Sequence, residues 1–261
     1  MKILAKIIKI CTMTKKHDII WLESVDSTND EARRHIDTLD NLSVLSALRQ
    51  TSGRGQRGNT WSAAPGENLT FSIVMKYGQV RAIDQFVISE ITALSVVDFL
   101  ALHGICARIK WPNDIYVDDR KICGILIEHS VRDAMLSSSI VGIGLNVNQR
   151  NFDVNLPNPT SMALCTAEEY SLTSLLEEFM DIFSSYCTRF INITGGFSRL
   201  RKLYLSQLWR LETDARYIDL TTSEEFTGRI KGLSNIGHLQ IEDTKKGELK
   251  EFAFKEISYI I

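Results

Sequence analysis

Two hydrophobic patterns divide this sequence of 261 residues near Leu208. Before that point, apolar side chains recur at helical spacing in two long stretches, residues 82–102 and 172–191. After it, short alternating runs are separated by turn residues, which is typical of a small β-barrel. Strands are predicted in the first part at residues 19–22, 44–48, 68–75, 107–111, 121–128 and 139–148. We therefore expect an α/β domain over residues 1–208 and a small β-barrel domain over residues 209–261.

The composition argues against several classes of protein. The net charge of −2 gives no reason to expect a nucleic-acid partner, because such a partner normally requires a basic domain or stripe. The 5 cysteines are scattered and form no C-x-x-C pair, so we expect reduced thiols in a cytoplasmic protein. Lys6 and Lys9 interrupt the apolar N-terminus, which therefore predicts neither a signal peptide nor a membrane span.

A second methionine, Met13, directly precedes the polar segment that leads into the first clear strand. We hypothesise that translation starts at Met13 rather than at Met1. Residues 1–17 are accordingly expected to be flexible or a non-native extension.

The segment Gly53–Asn59, called the Gly/Arg loop below, combines glycines with positive charge and is followed closely by Trp61. Residues 41–66 contain three arginines and no Asp or Glu. An anionic ligand would therefore meet no competing carboxylate from this part of the chain. Backbone freedom, cations and one large aromatic ring together predict a site for a phosphorylated small molecule.

The glycines of this loop also spell G-x-G-x-x-G, the fingerprint of dinucleotide-binding folds. That fingerprint requires a helix to open directly after it, whereas residues 59–66 have the composition of a loop and a turn. A phosphate-binding P-loop is excluded because no Gly-Lys-Ser/Thr ends the run. Taken alone, the segment is also compatible with an ordinary exposed loop with solvated arginines.

Further segments place polar residues or glycines at strand ends and corners. They are Ser27–Asn29, Gln50, Lys110–Asp114, Lys121–Glu128 and Gly142–Asn146. Together with the Gly/Arg loop and Trp61, in this order and with this spacing, the chain resembles the biotin–protein ligase family. The resemblance extends over nearly the whole chain.

The resemblance implies a mixed-sheet catalytic domain of the biotin/lipoate ligase type followed by an SH3-like β-barrel. It implies a two-step reaction, in which biotin and ATP give biotinyl-5′-adenylate and pyrophosphate, and the biotinyl group then passes to a lysine. The acceptor would be a biotin carboxyl carrier protein domain of acetyl-CoA carboxylase or a related carboxylase. We also expect Mg²⁺ and a homodimer, while the magnesium ligands and the particular acceptor stay open.

The chemistry needs positive charge, because joining a carboxylate to the α-phosphate of ATP brings two anions together. Arg54 and Lys110 are the predicted catalytic residues. The resemblance assigns biotin binding to Ser27, Thr28, Asn29, Gln50, Gly53, Arg54, Gly55, Gln56 and Lys110. It assigns nucleotide binding to Arg54, Arg57, Trp61, Asn113 and Asn146.

Plainer roles compete with some of these assignments. Ser27 and Thr28 stand where a helix through about residue 36 begins, so both are equally compatible with helix capping. For Trp111 we favour core packing. A lone strand lysine is usually solvated, but the match of Lys110 to the family motif favours a ligand contact.

Three other functions compete with biotin ligation as interpretations of the sequence. A DNA-binding regulator is disfavoured, because fewer than about twenty residues precede the first strand and the chain is not basic. A lipoate–protein ligase shares the catalytic fold, but the Gly/Arg loop together with Lys110–Asp114 favours biotin. A binding module without catalysis is disfavoured by the presence of both Arg54 and Lys110.

The Gly/Arg loop departs from the commoner family pattern at Gln56, where many members have Arg, and at Asn59, where another basic residue is frequent. We hypothesise that a loop with less positive charge retains the adenylate less tightly, unless Arg57 compensates, so that it leaks to non-cognate lysines. Gln56→Arg should then give less background biotinylation of bystander proteins than the wild type. Equal background from the two proteins would contradict this.

Overall fold

The computed structural model describes residues 7–8, 16–77, 80–191 and 195–261, without the side chains of Ile7, Ile8 and Arg57. Eight strands form one mixed sheet. They are β1 (Ile7–Ile8), β2 (Ile19–Leu22), β3 (Val44–Ala47), β4 (Leu69–Lys76), β5 (Arg108–Lys110), β6 (Asp114–Val117), β7 (Arg120–Arg132) and β8 (Met135–Leu145). Their order is β1-β2-β3-β4-β8-β7-β6-β5, and the parallel pair is β2 with β3. The predicted mixed sheet is confirmed.

The two-residue strand β1 falls in the segment that was expected to be flexible. It pairs antiparallel with Trp21 and Leu22 of β2, and the expectation that residues 1–17 are flexible or a non-native extension stays a prediction. Met13, the hypothesised start, lies outside the described residues.

Five α-helices accompany the sheet. They are α1 (Thr28–Arg34), α2 (Phe86–Leu102), α3 (Met162–Thr166), α4 (Leu172–Phe190) and α5 (Gly196–Ser206). The two long helices predicted from periodicity are α2, which begins after a short 3₁₀ turn, and α4. Helices α3 and α5 are not among the predicted elements, since both are short and α5 is rich in basic residues.

Helix α2 is the centre of the core. Residues 82–102 are long and apolar enough to cross a membrane, but 72% of their most apolar window is buried inside the protein. Phe99 of α2 contacts Phe179 of α4, and Phe179 contacts Phe71 of β4, both as edge-to-face pairs. The sheet, α2 and α4 therefore share one core.

The side chains of strand β4 point alternately to this core and to the opposite face of the sheet. Its alternating residues Phe71 and Ile73 pack in the core with α2 and α4, as the period of two predicts. Ser72 points to the other face, where α1 lies, and is fully buried there. That face combines polar side chains with burial, which marks it as the side of the sheet where a ligand site can form.

The last 48 residues contain a second, antiparallel sheet. Its strands are β9 (Asp214–Asp219), β10 (Glu224–Leu233), β11 (Leu239–Asp243), β12 (Glu248–Phe252) and β13 (Ile257–Tyr259), in the order β12-β11-β10-β9-β13. The predicted short strands are present. Within residues 214–259 no pairing joins β12 to β13, so the strand ladder gives a five-stranded sheet without the closure of a barrel.

Trp111 joins the two sheets. It is 2% exposed, and its Nε1 donates a hydrogen bond of 3.0 Å to the carbonyl of Gly237, in the turn between β10 and β11. Its ring lies 5.2 Å from that of Phe254, which also contacts Phe86 at the start of α2. Core packing of Trp111 is confirmed.

Trp111→Phe should destabilise the protein by about 1–3 kcal/mol, because it leaves the buried carbonyl of Gly237 without its donor and removes part of a packed ring. Urea denaturation followed by far-ultraviolet circular dichroism measures this change. An unchanged midpoint would show that the indole hydrogen bond does not hold the second sheet in place.

Candidate active site

A cavity opens on the α1 face of the sheet, where most of the predicted motifs converge. Its wall is formed by the start of α1, Gln50, the Gly/Arg loop, Trp61 and the turn before β6, and its floor by β7 and β8. The residues that line it are Ser27, Thr28, Asn29, Gln50, Arg54, Gly55, Gln56, Trp61, Asn113, Lys121, Gly124, Ile125, Leu126, Gly142, Ile143 and Gly144.

The polar side chains at the start of α1 form hydrogen bonds within the site and do not cap the helix. Ser27 occupies the N-cap position, but its side chain makes no capping hydrogen bond. The backbone N–H and the hydroxyl of Thr28 both donate to Oε1 of Gln50, at 2.8 and 3.2 Å. Ser72 of β4 donates to the Thr28 hydroxyl at 2.8 Å. The capping alternative therefore does not account for these side chains.

Asn29 connects this network to the floor of the cavity. Its Oδ1 accepts a hydrogen bond from Ser72 at 2.6 Å, and its Nδ2 donates to Oε2 of Glu128 at 2.8 Å. A Cβ atom at Gly142 would lie only 2.3 Å from Asn29 Oδ1. The Asn29 side chain thus rests directly on the backbone of β8, and only glycine fits beneath it. Ser72, which sequence reasoning missed, is a full member of this network.

Trp61 rests on two other glycines of the same floor. A Cβ atom at Gly144 would lie 2.2 Å from the indole ring, and one at Gly124 would lie 3.0 Å from it. Nε1 of Trp61 is buried and has no hydrogen-bond partner in the described part of the chain. A buried donor without a partner is costly, so a ligand acceptor that reached this N–H would stabilise the site.

Arg54 is held by two carboxylates from other parts of the fold. Its Nη2 lies 2.8 Å from Asp30 Oδ1 of α1 and 2.8 Å from Glu128 Oε2 of β7. Arg33 pairs with the same two acids, at 2.8 and 2.6 Å. Burial alone would raise the pKa of Glu128, but hydrogen bonds from Asn29, Arg54 and Arg33 keep it lowered. Residues 41–66 contribute no carboxylate themselves, but the fold brings Asp30 and Glu128 from other segments to Arg54.

The structure does not bring Lys110 to this cavity. Its Nζ donates to the hydroxyl of Tyr116 at 2.9 Å and lies 4.6 and 5.1 Å from the ring centres of Tyr116 and Tyr259. Burial lowers the pKa of Lys110 to about 8. Lys110 therefore lies in an aromatic cage that reaches to the C-terminal sheet.

The lysine that lines the cavity is Lys121 at the start of β7. Its Nζ pairs with Asp114 Oδ1 at 2.7 Å and lies 5.8 Å from the Trp61 ring. The segment that contains Lys121 was recognised from the sequence, but the lysine was not singled out. The one available signal was its position three residues before the strand glycine Gly124.

The other predicted residues differ in where they lie relative to the cavity. Gly55, Gln56 and Asn113 line the cavity, and Asn113 also donates to the carbonyl of Ile125 at 2.8 Å. Asn146 does not line it; its Nδ2 donates to the carbonyl of Thr160 at 2.9 Å. Gly53 lies behind the cavity wall, where a Cβ atom would lie 2.3 Å from the carbonyl oxygen of Trp61. The side chain of Arg57 lies outside the described part of the structure.

A model of the "Biotin/lipoate A/B protein ligase family" matches residues 21–146, which include every residue that lines the cavity. The biotin–[acetyl-CoA-carboxylase] ligase of Paracoccus denitrificans is 31% identical over 224 residues, covering 84% of this chain and 91% of that protein. This chain belongs to the biotin/lipoate A/B protein ligase family.

Two further members of the family illustrate its range. The bifunctional ligase/repressor BirA of Bacillus spizizenii is 28% identical over 217 residues, and the match covers 80% of this chain but 64% of the relative's length. A biotin protein ligase from Aquifex aeolicus, solved in complex with biotin and ATP, superimposes with a TM-score of 0.76 at 27% identity. That similarity covers 94% of this chain and 98% of the Aquifex chain.

Gly142→Ala should destabilise this ligase-family protein by about 1–3 kcal/mol, because the new methyl group would displace the Asn29 side chain from Ser72 and Glu128. Gly232→Ala is the matched control, since a Cβ atom there would meet only Gln240 Oε1, at 3.8 Å. The control should change stability by about 1 kcal/mol or less. Equal urea midpoints for the two variants would show that Asn29 does not depend on close approach to β8.

Proposed function

We propose that this protein activates biotin with ATP to biotinyl-5′-adenylate and transfers the biotinyl group to a lysine of a carboxyl carrier domain. The observation that carries the proposal is one cavity that joins a neutral hydrogen-bonding network to two cations. The network consists of Thr28, Asn29, Gln50 and Ser72, and the cations are Arg54 and Lys121. The ligands of the Aquifex structure and the activity of the Paracoccus relative support the same reaction.

The neutral end of the cavity suits the ureido ring of biotin. That ring is uncharged and carries both donors and acceptors, and hydroxyls and amides can pair with both. Thr28 and Asn29 are each 3–4% exposed, so a ligand there exchanges hydrogen bonds in a site protected from water. Ser27 and Gln50 complete the biotin end, with the backbone of the Gly/Arg loop beside it.

The charged end suits the reacting groups. A carboxylate oxygen of biotin attacks the α-phosphorus of ATP, the bond to the pyrophosphate oxygen breaks, and negative charge accumulates between two anions. We assign Arg54 and Lys121 to stabilise that charge, in place of Arg54 and Lys110. Lys121 lines the cavity, whereas the ammonium of Lys110 is surrounded by aromatic rings. The reaction needs no covalent nucleophile from the protein.

The nucleotide end is assigned to Trp61, Asn113 and the Gly/Arg loop. The Nε1 donor of Trp61 has no hydrogen-bond partner among the described residues, so an acceptor on the nucleotide would satisfy it. Asn146 would act indirectly, because its hydrogen bond to the carbonyl of Thr160 holds the backbone there. Arg57 stays a predicted phosphate contact. Glycines in the loop allow it to close over the mixed anhydride and shield it from water.

The described residues contain no group of three or more His, Cys, Asp or Glu side chains that could hold a metal ion. Asp114 is paired with Lys121, and Asp30 and Glu128 are paired with Arg54. The Mg²⁺ implied by ATP chemistry would therefore enter with the phosphates, and no step is assigned to a protein-bound metal. We further propose that the C-terminal sheet corresponds to the SH3-like barrel of the family, and that the protein is cytoplasmic and acts on a carboxylase. That the protein forms a homodimer stays a prediction.

Biotin-dependent exchange of pyrophosphate into ATP tests the first step. Lys121→Met and Arg54→Ala should each lower kcat/KM for exchange by about 10²–10³, because each removes a cation from the developing charge. Lys110→Met is the matched control at the neighbouring lysine and should lower it by less than about tenfold. Loss of exchange in Lys110→Met without loss in Lys121→Met would return the catalytic role to Lys110.

Thermal stabilisation separates biotin from lipoate as the acid activated by this site. Biotin with ATP should raise Tm, whereas lipoate with ATP should not, because lipoate offers no paired donors and acceptors to the Thr28–Gln50 network. The reverse result would identify a lipoate ligase.

A further inference from the structure

Arg33 lies outside the cavity but pairs with the same two acids as Arg54. It stands in the last turn of α1 and does not line the cavity, whereas Arg54 does. Its Nη1 lies 2.8 Å from Asp30 Oδ1, and its Nη2 lies 2.6 Å from Glu128 Oε1. Arg54 Nη2 lies 2.8 Å from the same oxygen of Asp30, and Arg54 Nη1 donates to the same oxygen of Glu128 at 3.2 Å. The two guanidinium groups thus share one oxygen of each acid.

This sharing makes each arginine partly replaceable by the other. Two guanidinium groups that donate to one oxygen atom lie close together, so they repel each other while the acid attracts both. The side chains of Asp30 and Glu128 are 29% and 25% exposed, and a carboxylate with so little access to water is costly without a cation. Loss of one guanidinium leaves each acid with a partner, whereas loss of both takes away the two cations that the acids share.

The proposed reaction requires Arg54 to turn away from these acids. Its guanidinium is assigned to the negative charge that develops when the carboxylate of biotin attacks the α-phosphorus of ATP. Both of its Nη atoms donate to Asp30 or Glu128. A donor that is bound to a carboxylate gives less stabilisation to a second anion. Each shift of Arg54 toward the substrates therefore removes a cation from Asp30 and Glu128.

Glu128 has to keep its position during that shift, because it also holds Asn29. Its Oε2 accepts a hydrogen bond of 2.8 Å from Asn29 Nδ2, and Asn29 belongs to the network assigned to biotin. Arg33 pairs with Oε1, the other oxygen of the same carboxylate. It can therefore hold this carboxylate in its ionised form without displacing Asn29.

We propose that Arg33 is a positioning residue for biotin activation, which neutralises Asp30 and Glu128 while Arg54 turns to the reacting anions. This inference rests on the proposed function and adds a residue to it. Arg33 acts on Arg54 through the two acids and makes no contact with the substrates itself. Without Arg33, both acids would retain Arg54.

Arg33→Met tests this in biotin-dependent exchange of pyrophosphate into ATP. The value of kcat should fall by about tenfold, because the two acids then compete more strongly for Arg54. KM for biotin should change by less than about threefold, because Glu128 still holds Asn29. Arg33→Lys keeps a cation beside the acids and should retain at least about a third of the wild-type kcat.

Arg34→Met is the matched control on the same turn of α1. Arg34 pairs with Asp26 and Glu31, and Arg54 pairs with neither of these acids in the described part of the chain. The control should change kcat by less than about twofold. It removes the same charge and the same length of side chain, so it isolates the acids that Arg33 shares with Arg54.

Urea denaturation tests the shared charge without any measurement of activity. The double variant Arg33→Met/Arg54→Met should lower the midpoint by more than the sum of the two single shifts, because only this variant removes both shared cations. The matched double variant Arg34→Met/Arg54→Met should give the sum of its single shifts. Additive shifts for the Arg33 pair would show that the two arginines do not replace each other, which contradicts the proposal.

The kinetic results can also overturn the proposal. An unchanged kcat for Arg33→Met would do so, and so would a loss in Arg33→Lys as large as that in Arg33→Met. A raised KM for biotin at unchanged kcat would assign Arg33 to support of Asn29 alone, which is likewise contrary to the proposal. Lack of exchange by the wild type would overturn the proposed function, whereas the urea midpoints would still decide whether Arg33 and Arg54 share the two acids.

Discussion

The site depends on close approach of side chains to the backbone of two central strands. Gly142 and Gly144 of β8, with Gly124 of β7, lie under Asn29 and Trp61 at separations that leave no room for a Cβ atom. A larger residue would push α1 and the Trp61 segment away from the sheet. Glycine weakens a strand, but these strands are paired on both sides through this region, so the ladder can tolerate it. The floor of the cavity is therefore formed by the backbone of the sheet itself.

Each cation of the site is paired with an acid. Arg54 lies between Asp30 and Glu128, and Lys121 pairs with Asp114. An unpaired cation in a half-buried cavity would be costly, so these acids stabilise the folded protein before substrates arrive. Substrate anions must then compete with carboxylates for the same guanidinium and ammonium groups. Arg33 also pairs with Asp30 and Glu128, and it can keep both acids neutralised when Arg54 moves to a ligand.

The segment Lys110–Asp114 serves two parts of the molecule at once. Asn113 lines the cavity, whereas Lys110 and Trp111 contact the C-terminal sheet through an aromatic cage and the carbonyl of Gly237. The position of the second sheet is therefore fixed by residues adjacent in sequence to the site.

Local sequence patterns predicted the long helices, most strands and the region of the site. Helical periodicity placed α2 and α4, the period of two placed β4, and glycines among arginines indicated a ligand loop, because each of these signals depends on neighbouring residues alone. The sequence predicted burial of Trp111 for the same reason. Tertiary structure decided that Lys121 rather than Lys110 reaches the cavity, that Ser72 joins Asn29, and that Glu128 holds Arg54. Those outcomes depend on strand register and on contacts between residues as many as 99 positions apart, as with Asn29 and Glu128, and no local pattern encodes such a partnership.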